Sequence, residues 1–310
     1  MLQKQKSESR IAVYYELTKP KIWYLLVFTA FGAILTASNI FDIEVSPATW
    51  ALALFSVAAG SAAANTLTNY HDRDIDAIME RTKNRPLPSK RIFPAVKARN
   101  FGLVLAGISL VLAFAISFTT TVEQGLWATA FIAFGLANNV LVYSYALKRN
   151  SRTNIILGGL CGGAPPMVGW VAVTMSDLWT MGLAMAGLVF IWIPMHIWAL
   201  TLHFKEDYNK VNVPMLTAVQ SEKTSSRVIA ISTFVMVLFS ITPFFMLTET
   251  NEQMVGPVYL WTAIASGIVM VALSTWVIAK PMEKAAWTLF KFSSPYLAVL
   301  FIALMVDSAL

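Results

Sequence analysis

The sequence predicts an all-α, polytopic membrane protein with nine transmembrane helices. Its composition is the first reason: 57% of the 310 residues are hydrophobic, only 13% are charged, and the mean hydropathy is +0.62. Soluble domains carry about 25% charged residues, so this chain lacks the polar surface for a water-soluble fold. The other two reasons are the lengths of the apolar runs and the distribution of charge between them.

Nine apolar runs have the length of about 20 residues that a membrane helix needs. They cover residues 22–40, 47–70, 96–118, 124–146, 154–175, 178–203, 226–246, 255–279 and 287–308. The polar, basic segment 1–20 precedes them and lacks the pattern of a cleaved signal peptide. We therefore expect a single transmembrane domain over residues 1–310, with 1–20 as a cytoplasmic amino-terminal segment.

The basic residues test this arrangement independently. With nine spans, all 23 Lys and Arg residues fall on one side, in the amino terminus and near 71–99, 147–153, 204–227 and 280–291. Seven acids occupy the other side: Asp42, Glu44, Glu123, Asp177, Glu249, Glu252 and Asp307. Because Lys and Arg stay on the cytoplasmic side, we expect the amino terminus on the cytoplasmic side of the cell membrane and the carboxyl terminus on its outer side. The net charge of +6 then reflects topology in a lipid bilayer rather than nucleic-acid binding.

An acidic cluster follows the second predicted span. Asn65, Asn69, Asp72 and Asp76 are spaced by four, three and four residues, which places them on one stripe of a continuing helix. Two carboxylates one turn apart repel each other unless a cation lies between them. Mg²⁺ is typically bound by one or two carboxylates together with phosphate oxygens of a substrate. The stripe therefore predicts a magnesium site, whereas Asp74 faces elsewhere on the helix.

A short basic loop comes directly after the acids. Arg81, Lys83 and Arg85 stand before Pro86 and Pro88, which end helical structure. Guanidinium groups pair with phosphate oxygens in bidentate fashion, so acids and bases together suit a diphosphate group. The alternative is an ordinary solvated loop, in which these charges form surface salt bridges worth little energy.

The loop after the sixth predicted span repeats the pattern. His196 and His203 are seven residues apart on one helix face, and Lys205, Glu206 and Asp207 follow. Glu206 and Asp207 are candidates for a second metal, and Lys205 for a phosphate contact. Ionisable residues at membrane depth indicate function by default, although a hydrogen-bonded packing role for either histidine remains open.

A third polar group ends the fourth predicted span and consists of Tyr143, Lys148 and Arg149. Polar groups thus recur after spans two, four and six, which hints at helix pairs around one central cavity. The segment GGLCGGAPPMVGW, residues 158–170, places glycines and prolines inside a span. Irregular backbone at membrane depth is tolerated where it is buried or lines a cavity, so this segment is expected to form a cavity wall.

Three stretches carry a resemblance to a known family. They are DRDIDAIMERTKNRPLP (72–88), LKRNSRTNIILGGLCGGAPPMVGWVAVT (147–174) and PMHIWALTLHFKEDYNKVNVPML (194–216). On these stretches, and from about Leu17 to Thr217, the chain resembles the UbiA superfamily of intramembrane prenyltransferases. The second and third stretches resemble the branch that prenylates heme. One position departs from the family pattern, since Thr68 stands where an Asn is usual and Asn69 lies next to it.

The resemblance implies a nine-helix bundle around a cavity open to the cytoplasm. It implies transfer of the farnesyl group of farnesyl diphosphate to the vinyl group of heme B, giving heme O and diphosphate with Mg²⁺ as cofactor. The implied catalytic residues are Asp72, Asp76, Lys148 and Arg149. The implied substrate-binding residues are Asn65, Asn69, Arg81, Lys83 and Arg85, and the residue pattern adds Tyr143, His196, His203 and Lys205 as candidates. The implied metal ligands are Asp72 and Asp76, while Glu206 and Asp207 stay the candidates that the loop pattern gives for a second ion. We also expect association with heme A synthase or the terminal oxidase assembly.

The chemistry agrees with these residue types. Ionisation of an allylic diphosphate needs cations at the leaving group, which Mg²⁺, Arg and Lys supply. The carbocation needs a dry pocket, and aromatic rings stabilise it further. For heme, His196 or His203 is expected either to bind the iron or to hydrogen-bond a propionate, and the sequence does not distinguish these roles.

Two other functions remain open at this point. The first is a prenyltransferase of the same superfamily with an aromatic or lipid acceptor. The second is a secondary transporter, because ionisable residues near Gly- and Pro-rich membrane helices also mark transport sites. Polar clusters at the helix ends rather than at the membrane midplane favour an enzyme over a transporter.

Overall fold

The structure is a computed structural model that describes residues 9–248, 251–279 and 283–310. Residues 1–8 of the amino-terminal segment, Glu249 and Lys280 entered the charge argument above and lie outside the described residues. Within the described ranges the fold is entirely helical apart from turns and one isolated bridge, between Leu247 and Gln253.

Nine helices in the described part of the chain are long and apolar enough to cross a membrane, and they are numbered here as spans 1 to 9. They are Pro20–Phe41, Pro47–His71, Val96–Phe118, Val122–Leu147, Asn154–Val171, Leu178–His203, Glu222–Phe245, Pro257–Ala279 and Glu283–Asp307. Each coincides with one of the predicted apolar runs, and the ends differ by a few residues. The predicted all-α membrane fold is thereby confirmed.

The spans form a ring in chain order. Spans 1 to 4 pack each against the next, spans 6 to 9 do the same, and span 9 contacts span 1 as well as span 6. Span 5 contacts spans 1, 4 and 6 and is largely buried. It therefore lies between spans 4 and 6, packed against span 1, and leaves little surface for lipid.

Span 5 has the irregular backbone that its glycines and prolines predict. A helix over Asn154–Gly158 tightens into a 3₁₀ segment over Gly159–Gly163 and returns to an α-helix over Ala164–Val171. At Gly169 an added Cβ would lie 2.3 Å from the carbonyl oxygen of Ala30 in span 1. Small residues allow membrane helices to approach this closely, so Gly169 sets the distance between spans 1 and 5.

Two other spans contain π-helical segments. Span 4 becomes π-helical over Asn138–Leu147, and span 6 begins with a π-helical turn over Leu178–Gly182. Segments of this kind are rare and occur frequently at functional sites. In span 4 the π-helical segment leads directly into Lys148 and Arg149.

The ends of spans 2, 4 and 6 share one face of the bundle with several short helices. These are Arg10–Leu17, Arg73–Asp76, Lys205–Lys210 and Leu216–Val219. A small apolar cluster on this face joins Val13 and Leu17 of the first helix to Leu87, Ile92 and Ala98. The amino-terminal helix is thus packed against the loop that follows the acidic cluster.

Candidate active site

The acidic cluster lies where span 2 ends. The helix stops at His71, and a one-turn helix Arg73–Asp76 continues after Asp72, whose carbonyl accepts a hydrogen bond from the N–H of Asp76 at 2.8 Å. Asp72 is 2% exposed and Asp76 is 3% exposed. Two neighbouring carboxylates so thoroughly removed from water require cations close by.

Each of the two carboxylates has a cationic partner from a different segment. Lys148, just after span 4, donates a short hydrogen bond to Asp72 Oδ2, and Arg149 lies 3.8 Å from Asp72 Oδ1. Arg85 donates to Asp76 Oδ2 at 2.8 Å. The structure therefore brings the predicted acids of span 2 together with predicted bases from two other parts of the chain.

Asp74 is held outside this buried pair. Arg149 donates two hydrogen bonds of 2.7 Å to its two carboxylate oxygens, and the Asp74 side chain is 61% exposed. These hydrogen bonds lower the pKa of Asp74 to about 2. Asp74 thus orients Arg149, while Asp72 and Asp76 face the interior.

Lys19 is a further member of the cluster that the sequence analysis did not identify. It is half-buried, has a left-handed backbone with φ of 54°, and lies directly before span 1. Burial and the nearby charge of Arg85 lower the pKa of its ammonium group to about 7, although Asp76 and Asp72 act in the opposite direction. The signal in the sequence was a lysine directly before Pro20, the first residue of the first span.

The oxygen atoms around Asp72 fit a hard cation. Asp72 Oδ1 and Asn69 Oδ1 are both buried without a hydrogen-bond partner among the described residues. Buried oxygens without partners are uncommon and require an explanation, and Mg²⁺ binds through oxygen ligands of this kind. Among the described residues, no group of three or more His, Cys, Asp or Glu side chains is placed to hold a metal ion. Oxygen atoms of a substrate would therefore have to complete the coordination of an ion bound here.

Asn69 and its neighbour Thr68 also tie the cluster to its surroundings. Asn69 Nδ2 donates to the carbonyl of Leu17 at 2.7 Å, which fastens the amino-terminal helix to span 2. The Thr68 hydroxyl donates to Asn139 Oδ1 at 3.0 Å and lies 3.1 Å from the Ser144 hydroxyl. Thr68 therefore links span 2 to the π-helical part of span 4.

An apolar cavity begins two helical turns below Asp72. Asn65 lines it together with residues of spans 1, 2, 4 and 5. Its lining is Ile22, Leu26, Val57, Gly60, Ser61, Ala64, Asn65, Ile132, Gly135, Leu136, Asn139, Cys161, Ala164 and Pro165. The predicted role of segment 158–170 as a cavity wall agrees with this lining.

The second predicted metal pair is divided between two environments. Asp207 is buried, and its Oδ2 accepts a hydrogen bond of 3.1 Å from the backbone N–H of Arg81, whereas Glu206 is exposed. Burial acts to raise the pKa of Asp207, but the hydrogen bonds from the N–H groups of Arg81 and Glu80 outweigh it and lower the pKa. In the structure Asp207 thus fastens the loop after span 2 to the loop after span 6.

The remaining predicted cations have local partners. The Arg81 guanidinium lies over the ring of Phe204, and Lys83 forms an ion pair of 2.5 Å with Glu80 at the surface. Lys205 donates to the carbonyl of Gln220 at 3.0 Å. Arg81 and Lys83 are exposed, so both remain accessible to an anionic ligand.

Tyr143 lies beside the acidic pair. The Lys148 ammonium is 5.8 Å from the centre of its ring, and an added Cβ at Gly158 would lie 2.6 Å from Tyr143 side-chain atoms. The absence of a side chain at Gly158 of span 5 therefore leaves room for the Tyr143 ring, over which the Lys148 ammonium lies.

The two histidines belong to a separate set of contacts. His196 Nδ1 lies 2.6 Å from Ser293 Oγ, and His203 Nδ1 lies 3.1 Å from the Glu283 carbonyl oxygen. Both partners are on span 9, whereas the partners of Asp72 and Asp76 follow span 4 and span 2. The histidines thus contact span 9, whereas the acids contact the segments that follow spans 2 and 4.

A helical bundle whose buried carboxylates and cations meet at one end is the arrangement of an intramembrane prenyltransferase. The chain belongs to the UbiA prenyltransferase family, which matches residues 25–303. The match also extends the likeness noted for residues 17–217 through spans 7 and 8 and most of span 9.

Curated relatives are similar along their whole length. The chain is 73% identical to protoheme IX farnesyltransferase 2 of Cenarchaeum symbiosum over 309 residues, which are 100% of this chain and 99% of the relative. It is 39% identical to protoheme IX farnesyltransferase of Thermoplasma volcanium, with 96% of this chain and 98% of that protein covered.

Solved structures share the fold at low sequence identity. A structure of digeranylgeranylglyceryl phosphate synthase superposes with a TM-score of 0.73 at 19% identity, covering 96% of this chain and 98% of that one. A UbiA homologue from Archaeoglobus fulgidus bound to GPP and Mg²⁺ gives a TM-score of 0.59 at 16% identity, covering 94% and 99%. These likenesses show the fold alone.

Proposed function

We propose that this protein transfers the farnesyl group of farnesyl diphosphate to the vinyl group of heme B and that water adds to the carbocation so formed, giving heme O and diphosphate. The observation that carries the proposal is the buried pair Asp72 and Asp76, set among Lys19, Arg85 and Lys148. The identity of the acceptor is supported by the relatives, which are named for protoheme IX farnesylation and match the chain along its length.

The acidic pair is proposed to hold the diphosphate through Mg²⁺. Asp72 and Asp76 would bind the ion, with Asn69 Oδ1 as a supporting ligand, since two of these three side chains carry buried oxygens without partners. When bound, Mg²⁺ neutralises charge on the leaving diphosphate. Magnesium in a structure of a UbiA homologue with GPP supports this assignment.

The cationic side chains are proposed to bind and orient the diphosphate. Lys148, Arg149 and Arg85 already point at the acidic pair, and a diphosphate would compete for them with bidentate, charge-assisted hydrogen bonds. The allylic C–O bond then breaks with both electrons leaving on the diphosphate, and these cations stabilise the developing charge. Lys19 adds a further positive charge, which a bound diphosphate would favour.

The apolar cavity is proposed to receive the farnesyl chain. It begins at Asn65, which precedes Asp72 by seven residues and hence lies about 10 Å deeper at the rise of an α-helix. A chain anchored at the acidic pair by its diphosphate would extend into it. Its apolar lining excludes water from the allylic cation.

The orientation in the membrane belongs to the same proposal. The acidic pair and its basic partners would face the cytoplasm, because the basic loops are expected on that side. Both substrates would then enter from the cytoplasm or the inner leaflet of the cell membrane.

Purified protein in lipid nanodiscs tests the proposal. With heme B, farnesyl diphosphate and Mg²⁺ we expect heme O and diphosphate in equal amounts. A product from 4-hydroxybenzoate or from a lipid acceptor, with none from heme B, would assign the chain to another acceptor class. No prenylated product of any kind would reject the enzyme.

A further inference from the structure

Five nearly parallel rings form a stack between spans 6 and 9. His196 stacks on Trp192 with ring centroids 4.1 Å apart and on Phe290 at 4.3 Å, with interplanar angles of 26° and 28°. Trp287 continues the stack beyond Phe290 at 5.1 Å, and His203 stacks on Trp287 at 4.7 Å. Because both faces of His196 are covered, only the edge of its ring is available to a ligand.

Ser293 occupies one edge of the His196 ring. Its Oγ lies 2.6 Å from His196 Nδ1 and donates a hydrogen bond of 2.7 Å to the carbonyl of Phe290, one turn earlier on span 9. Trp192 Nε1 donates to the Ser293 carbonyl at 2.8 Å. A hydroxyl group carries one proton, and when the Phe290 carbonyl receives it, Ser293 Oγ is left to accept a hydrogen bond from His196 Nδ1–H.

The opposite tautomer of His196 is disfavoured by its surroundings. If Nε2 carried the proton, it would be a donor without an acceptor, because Nε2 has no hydrogen-bond partner in the part of the chain that the structure describes. Donors left without a partner at membrane depth are costly. These contacts favour the Nδ1–H tautomer of His196. Its Nε2 has no hydrogen-bond partner among the described residues and is not among the fully buried atoms.

We propose that Ser293 is a positioning residue that holds His196 in the Nδ1–H form, so that Nε2 binds the iron of the heme substrate. The inference rests on the proposed function, because it assumes that heme B is the acceptor. A lone pair cannot donate a hydrogen bond, so Nε2 in this form does not bind a propionate. Neutral imidazole nitrogen is the common metal ligand, and the hydrogen bond on its other nitrogen sets its tautomer.

One histidine binds the iron in this arrangement. His203 Nδ1 also donates, since its partner is the Glu283 carbonyl, but two rings of the stack separate the two histidines. One iron cannot be reached by both. His196 lies seven residues, or about 10 Å, deeper in span 6 than His203, on the side of the membrane interior. We therefore expect a five-coordinate heme with one open axial position.

The tautomer is measurable without any substrate. The chain has three histidines, so the protein labelled with ¹⁵N-histidine gives few ring signals, and His196→Gln assigns those of His196. In nanodiscs we expect a protonated Nδ1 and an unprotonated Nε2 for His196. Ser293→Ala should shift the population towards Nε2–H, and Ser293→Thr should restore it. Protonated Nε2 in the unsubstituted protein, or no change in Ser293→Ala, would overturn the proposal.

Heme binding is the second measurement. Ferrous heme B with carbon monoxide is titrated into the same nanodiscs, and the absorption spectrum reports an imidazole opposite the carbon monoxide. His196→Gln should abolish that signature, and Ser293→Ala should weaken heme binding by about tenfold or more. Ser274→Ala is the matched control, since the Ser274 hydroxyl also donates to the carbonyl three residues earlier, at 2.9 Å, but has no histidine partner.

The outcomes separate this inference from the proposed function. If the unsubstituted protein makes heme O and Ser293→Ala binds heme with the same affinity as the unsubstituted protein, the positioning role of Ser293 is wrong and the proposed function stands. If His203→Gln removes the imidazole signature and His196→Gln keeps it, the assignment of His196 as the ligand of the heme iron is wrong. If the unsubstituted protein makes no heme O at all, the proposed function fails whatever the spectra show.

Discussion

Replacing Asp72 by Asn, with Asp74→Asn as a matched control, distinguishes a metal-binding carboxylate from an ordinary one. The two residues are two positions apart, and both lie within ion-pair distance of Arg149. They differ in burial, because Asp72 is 2% exposed whereas the Asp74 side chain is 61% exposed. The substitution removes one charge and keeps the shape of the side chain.

The expected effects differ in size. Asp72→Asn removes a charge that the account places at the metal, and loss of one preorganised electrostatic group lowers turnover by about 10²- to 10³-fold. It also weakens the hydrogen bond from Lys148, whose side chain is 13% exposed, which costs about 1–3 kcal/mol of stability. Asp74→Asn affects an exposed pair worth about 0–1 kcal/mol, so turnover should stay within about threefold.

Initial rates of prenyl transfer in nanodiscs at saturating Mg²⁺ measure this comparison. A thermal melt of each variant establishes that the protein remains folded. Turnover of Asp72→Asn within about threefold of the unsubstituted rate would refute the metal role. Equal loss in both variants would indicate that Arg149, rather than the metal, carries the effect.

Three further predictions concern packing, binding and the metal. Gly169→Ala places a Cβ 2.3 Å from the Ala30 carbonyl oxygen and should cost about 1–3 kcal/mol, lowering the melting temperature by several degrees. In Gly107→Ala the added Cβ meets nothing within 4 Å, so the melting temperature should stay the same or rise slightly, because Ala is the better helix former. Equal melting temperatures would contradict the close approach of spans 1 and 5. Lys19→Gln should raise KM for farnesyl diphosphate by about tenfold, a loss of about 1.4 kcal/mol, and an unchanged KM would place Lys19 outside the diphosphate site. Removing Mg²⁺ with a chelator should stop turnover and added Mg²⁺ should restore it, so full activity in chelator would exclude the ion.

The nine spans were predictable because membrane insertion depends on a property that the sequence carries locally. Each span needs about 20 apolar residues, and the positive charges mark the side of each loop. The acidic pair was equally accessible, since Asp72 and Asp76 are four residues apart. The backbone conformation of this pair was not predictable, because the helix of span 2 ends at His71 and Asp72 joins it to the next short helix.

The partners of these residues depend on tertiary packing. Asn69 contacts Leu17, 52 positions earlier, and Asp207 contacts Arg81, 126 positions earlier, so no local spacing indicates either contact. Ser293 is one of several hydroxyl-bearing residues in span 9, and serine in a helix commonly donates to the preceding turn. Its importance emerges only when span 9 is packed against His196.

The proposed conversion of heme B to heme O is measured by mass spectrometry of hemes extracted from cells. Cells that lack heme O are compared with the same cells expressing the chain or its Asp72→Asn variant at equal protein levels. We expect heme O in cells with the unsubstituted chain and little or none in cells with Asp72→Asn. Heme B alone in all samples, with the protein folded in the membrane and farnesyl diphosphate present, would contradict it.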